Sequence, residues 1–92
     1  MKNVVKTKIY SVSVRDVVKM FISEHSDGDF IGCVLYCDRM KSPDSPIFDY
    51  HFDLKMFIDT EEEKVHKRCM QWVRENFTEE CEAELIETRQ EH

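Results

Sequence analysis

The sequence predicts an α+β fold: one antiparallel sheet with two helices packed on a single face. Three patterns carry that expectation. Residues 47–58 alternate, with Phe48, Tyr50, Phe52, Leu54, Met56 and Ile58 on one side and Asp49, His51, Asp53, Lys55 and Phe57 on the other. A period of two over that length describes a strand with one core face and one wet face. Val65, Cys69, Trp72, Val73 and Phe77 form one helical stripe, and Val14, Val17, Val18, Phe21 and Ile22 form a second. The chain has 92 residues, which suits a single domain, 1–92.

Each element follows from local chemistry. Residues 4–13 alternate as a half-buried strand, with Val5, Thr7, Ile9 and Ser11 on one face and Lys6, Lys8, Tyr10 and Val12 on the other. Ser13 offers an N-cap for the first helix, with Asp16 near the positive end of its dipole. His25 to Asp29 closes that helix with turn residues, Gly28 being free to take positive φ. Phe30 to Cys37 is apolar on both faces, as in a central strand. Asp38 to Pro46, with Pro43 and Pro46, is expected to be a loop, and it leads into the 47–58 strand. Thr60-Glu61-Glu62-Glu63 has the form of a capping box for the second helix, which Asn76 or Thr78 ends. Residues 80–87 alternate Cys81, Ala83 and Leu85 with glutamates, although Glu, Ala and Leu also favour helix. The regular alternation favours an edge strand, with Thr88 to His92 fraying beyond it. The resulting order is β-α-β-β-α-β, the split βαβ or ferredoxin-like plan, which hosts many unrelated functions.

Composition excludes several classes. Thirteen Lys+Arg against nineteen Asp+Glu leave a net charge of −6. An autonomous nucleic-acid binder needs a basic stripe to displace counterions, and a membrane-spanning helix needs a long apolar run that is not present. The N-terminus reaches Lys2 and Lys6 before a signal-type apolar stretch forms, so a cytoplasmic location is expected. Cys33, Cys37, Cys69 and Cys81 then read as reduced thiols. The Cys33-x-x-x-Cys37 gap is wrong for a zinc knuckle, and His66-x-x-Cys69 has no second pair tied to it by spacing.

The chemistry of catalysis is thinly represented. Only Gly28 and Gly32 are available, so a glycine-rich phosphate loop cannot be built. The Asp49/His51/Asp53 row is the one candidate. Alternate residues on a strand face stand about 7 Å apart, close enough for a carboxylate to orient an imidazole or for a facial metal site. A solvated sheet face carries polar residues anyway, and no nucleophile is linked to the row. No enzyme activity, cofactor or metal is expected. A small metal- or ligand-binding enzyme-like domain using this row stands as the alternative, and a homodimeric regulatory domain pairing sheet faces or edges as another.

Charge distribution points to partner binding. Residues 1–46 carry seven basic and six acidic groups, whereas residues 47–92 carry six basic and thirteen acidic groups. An acidic C-terminal third of this kind steers a basic partner. The expected contact residues are Glu61, Glu62, Glu63, Glu79, Glu80, Glu82 and Glu84, with Phe57 as an aromatic anchor on the wet face beside them. Arg39 and Lys41 in the proline loop form a second expected contact.

In size, acidity, α+β patterning, reduced cysteines and lack of catalytic motifs, the chain resembles small phage-encoded inhibitors of the anti-CRISPR kind. The resemblance lies in overall character and in no motif, so it carries over no functional residue. It implies a non-enzymatic protein in the host cytoplasm. Such a protein inhibits a DNA- or RNA-handling complex by steric and electrostatic occlusion, through a protein partner with a basic groove and possible contact to bound nucleic acid. A monomer or weak dimer is expected.

Overall fold

The computed structural model describes residues 3–13, 18–37, 51–77 and 82–90. It contains β1 (Val4–Ser13), β2 (Val18–His25), β3 (Phe30–Cys37), β4 (His51–Asp59), α1 (Glu62–Phe77) and β5 (Glu84–Gln90). The strands form one sheet in the order β4-β3-β2-β1-β5, with every neighbouring pair antiparallel. The first four strands are a meander. α1 then lies over β2, β3 and β4, and the chain ends as β5 beside β1.

This corrects the expected two-helix, ferredoxin-like order. Residues 18–25 are a strand, so the described residues hold one helix. The cause lies in Val18 and Ile22, which fit both periods because their spacing of four is even. The residues between them discriminate: Met20 is buried with Val18 and Ile22, while Phe21 packs with Leu35 and Cys33 on the opposite face. A helical stripe would have set Phe21 beside Ile22. Residues 18–22 include β-branched Val18 and Ile22, which favour strand once strands are available on both sides. The expected cap around Ser13 to Asp16 falls mostly on residues 14–17, outside those described.

The β2–β3 turn follows the expected chemistry. Gly28 has φ of 95°, its N–H donates to the His25 carbonyl at 3.0 Å, and the His25 N–H donates to the Asp29 carbonyl at 2.9 Å. The Asp29 N–H donates to Asp27 Oδ1 at 3.1 Å, closing the turn locally.

One core forms between helix and sheet. Val65, Cys69, Met70 and Val73 of α1 meet Val12, Val18, Met20, Ile22 and Val34, all buried. Burying each such aliphatic side chain contributes about 1.5–3 kcal/mol. Gly32 sets how closely the layers approach. A Cβ there would overlap Val65 Cγ1 and stand 2.8 Å from Cys69 Sγ, so α1 rests on bare β3 backbone. Its neighbour in register, Phe57, fills the space beside that contact.

From Lys55 onward, past a bulge at Leu54, the faces of β4 are reversed from expectation, whereas Asp53 keeps its expected side away from the helix. Phe57 and Lys55 share the face of Gly32 and Val34, towards the helix. Met56 and Ile58, expected in the core, are 58% and 52% exposed on the other face. The described helix covers only one face; on the other, Ile9 and Leu35 are also buried, and Met56 and Ile58 lie at its open side along β4. A bulge places Leu54 between the pairs Leu35–Asp53 and Val34–Lys55.

Just ahead of the helix, Asp59 gathers two backbone amides, and the Thr60 hydroxyl donates to the same oxygen at 3.5 Å. Asp59 Oδ1 accepts from the N–H of Thr60 at 2.7 Å and of Glu61 at 3.2 Å. Partial desolvation opposes ionisation, but these two donors, with Lys64 and Arg68 nearby, hold the carboxyl below its usual range. β5 is also shifted from expectation: Thr88, Arg89 and Gln90 are paired with β1 rather than frayed.

Two predictions follow from this packing. Gly32→Ala should lower stability by about 1–3 kcal/mol, the usual cost of overpacking, read as a lower urea midpoint. Pairing it with Val65→Ala should recover part of the loss. The second concerns His66, whose ring meets Tyr10 edge-on at 5.3 Å. Burial lowers its pKa below 6.5; Glu62 opposes that shift, and Arg74 and Lys8 reinforce it. Because the unfolded chain then binds the proton more tightly, stability is full above pH 6.5 and declines as pH falls through the lowered value. Denaturation midpoints taken from neutral to mildly acid pH should show this slope, and His66→Phe should flatten it.

Candidate functional site

The face of the sheet away from α1 is open only in part. Register places Ile9, Phe21, Cys33 and Met56 in one row across the helix-free face, with Thr7, Ser23, Ile31 and Ile58 in the next. Ser11, Lys19, Leu35 and Asp53 form a third row. Ile9 and Leu35 are buried there, and Lys19 is only 5% exposed, its Nζ donating to Ser11 Oγ at 3.5 Å. Exposure rises towards β4, at Met56 and Ile58.

The two sheet edges differ in character. β5 touches only β1 among the described elements. Leu85 and Ile86 are 49% and 41% exposed, flanked by exposed Glu82 and Glu84. Ile86 is the extra residue of a bulge, since Ile9 pairs with Glu87 and Tyr10 with Leu85. Arg89 Nε donates to Glu87 Oε2 at 2.9 Å. At the other edge, an open groove of about 430 Å³ lies between β4 and α1, lined by Lys55, Phe57, Arg68, Gln71, Trp72 and Glu75. Lys55 Nζ stands 5.7 Å from the Phe57 ring centroid, and Trp72 meets Phe77 edge-on at 6.2 Å.

The residues singled out from sequence do not gather in one place. Glu61, Glu62 and Glu63 begin or precede α1, and each has a lysine: Lys64 at 2.6 Å from Glu61, Lys8 at 2.9 Å from Glu62, and Lys67 at 3.7 Å from Glu63. These cations cancel much of the local field. Phe57 is half-buried on the helix side, not on the wet face expected for it, and it lines the β4 groove. Glu82 and Glu84 lie at the β5 edge. Glu79, Glu80, Arg39 and Lys41 lie outside the described residues.

The Asp49/His51/Asp53 row cannot be assembled from the described part. Asp49 lies outside it, as does the side chain of His51. Asp53 accepts from Cys33 Sγ at 3.6 Å. Among the described residues no group of three metal-ligating side chains comes together. Cys33 and Cys69 are free thiols. Burial, with the Asp53 carboxylate adding to it, pushes Cys33 up to about 12, and burial alone takes Cys69 to about 11. Both remain protonated near neutrality and are poor nucleophiles. Among the described residues, no helix is long and apolar enough to cross a membrane.

Leu85, Ile86 and the β4 groove were not singled out from sequence. Two consecutive apolar residues between glutamates break a strand's alternation, which is the signature of a bulge or an exposed side chain. Met56-Phe57-Ile58 carries the same signal, because three consecutive apolar residues in a strand cannot all face one core.

Asp53→Asn should remove the anion that disfavours the Cys33 thiolate, lowering that pKa and raising the rate at which Cys33 is alkylated. Peptide mapping of iodoacetamide labelling in native buffer measures this. Cys69, which owes its shift to burial, should label at an unchanged rate.

Comparison with family models, curated proteins and solved structures finds no match to this chain.

Proposed function

We propose that this protein is a non-enzymatic binding protein that engages a protein partner through the open edge of β5. The observation that carries the reading is the character of that strand. Among the described elements it is held by one neighbour, it is exposed along nearly its whole length, and it presents Glu82 and Glu84 beside Leu85 and Ile86. An open edge offers unpaired backbone N–H and C=O groups to an added strand, and alternate side chains then give specificity. Here those side chains combine apolar area with negative charge. The complementary surface is a basic groove with an apolar floor. Such grooves occur on complexes that hold DNA or RNA, and occupying one blocks its substrate sterically and electrostatically. This agrees with the resemblance to anti-CRISPR inhibitors. The pairing of Glu61, Glu62 and Glu63 with lysines moves the weight of the acidic contact from α1 to β5.

Capture from bacterial lysate, with and without nuclease, tests the proposal when the wild-type chain is compared with Glu82→Lys/Glu84→Lys and with Leu85→Lys. The expected outcome is a nucleic-acid-handling complex retained by the wild type and lost by both variants. Its retention should weaken with added salt, because exposed charges are screened beyond about 10 Å at 0.1 M. Retention that is indifferent to all three substitutions would sink the β5 reading.

A further inference from the structure

The β4 edge carries a second, separate surface, and we infer that it is a homodimer interface. β4 pairs antiparallel with β4 of a second copy, about a two-fold axis through Phe57. Three observations lead there. β4 is the outermost strand on its side, with no strand beside it among the described residues. Its apolar side chains Met56 and Ile58 are more than half exposed. The order of side chains along it is self-complementary in one register.

Antiparallel strands related by a two-fold axis normal to the sheet keep each residue on its own face. Allowed registers are therefore centred on a residue or between two that share a face. Centring on Lys55 sets lysine against lysine. Centring on Met56 sets Lys55 against Phe57 of the second copy, twice, which leaves the cation without an acid opposite it. Centring on Phe57 instead sets Lys55 opposite Asp59 of the second copy, and Asp59 opposite its Lys55. It also sets Met56 against Ile58 twice and Phe57 against its own copy. Lys55, Phe57 and Asp59 all lie on the helix side, in register with Val34, Gly32 and Phe30, whereas Met56 and Ile58 lie on the helix-free side. Each cross-strand pair is thus apolar with apolar, aromatic with aromatic, or cation with anion, the combinations that stabilise a sheet. Asp59 already accepts two backbone amides at Oδ1, and a carboxylate retains acceptor capacity for a cation.

The groove beside β4 obeys the same axis. Rotation reverses the direction of α1, so the two grooves, each lined by Arg68, Gln71, Trp72 and Glu75, run antiparallel beside the seam. A foreign partner has no reason to match that symmetry; a second copy matches it by construction. The inference is independent of the β5 reading, which uses the opposite edge of the sheet.

Light scattering and sedimentation equilibrium of the full chain, across a wide range of concentration, test it. The wild type should shift from monomer to dimer mass as concentration rises. Met56→Lys and Lys55→Asp should remain monomeric where the wild type is dimeric, with unchanged circular dichroism. Combining Lys55→Asp with Asp59→Lys, which exchanges the two ends of the cross-strand ion pair, should restore the dimer. A wild type that stays monomeric throughout would overturn the inference. So would a dimer that survives both β4 substitutions, or one dissolved only by Ile86→Lys at β5.

Discussion

The contact of α1 with the bare backbone of β3 at Gly32 organises this molecule. Because no side chain stands between them, Val65 and Cys69 sit directly on the strand. Val34, Met20 and Val18 then close the core around that point. The same contact decides what remains uncovered. A helix seated over β3 reaches β2 and β4 and contacts β1 only through side chains such as Tyr10, which meets His66, and Lys8, which meets Glu62. β5 lies beyond its reach.

Charge is distributed around that frame in a way composition alone does not reveal. The acids at the helix start lie at the positive end of its dipole and beside lysines, so they serve the helix as much as any partner. Surface ion pairs of this kind are worth about 0–1 kcal/mol, and their main effect here is to neutralise the end of α1. The acids left more open are at β5, which places negative charge and apolar area along one strand edge. At the opposite edge, cations and acids are interleaved with aromatic and aliphatic side chains.

The thiols illustrate how position overrides residue type. Cys33 and Cys69 are close in composition terms to reactive or metal-binding residues, but Cys69 is packed beneath the helix and Cys33 faces a carboxylate. Low dielectric and a nearby anion both disfavour the thiolate. These two cysteines therefore behave as small core residues.

Much of the local structure was legible in the sequence. The alternation of residues 4–13, the doubly apolar run 30–37, the turn at Gly28 and the helical stripe from Val65 to Phe77 each depend on near neighbours, and each element forms where its pattern lies. Residues 18–25 were not legible, because Val18 and Ile22 satisfy helix and strand alike. Only pairing with β1 and β3 decides between them. The faces of β4 were beyond the sequence for a related reason. Alternation separates Met56 and Ile58 from Phe57, but it does not say which side a helix will cover. That depends on Gly32, on a different strand, and on where α1 returns across the sheet. By itself the sequence determined periodicity, turns and the helix. The tertiary structure alone decided which strands are edges and which apolar row meets solvent, because those follow from contacts between residues far apart in the chain.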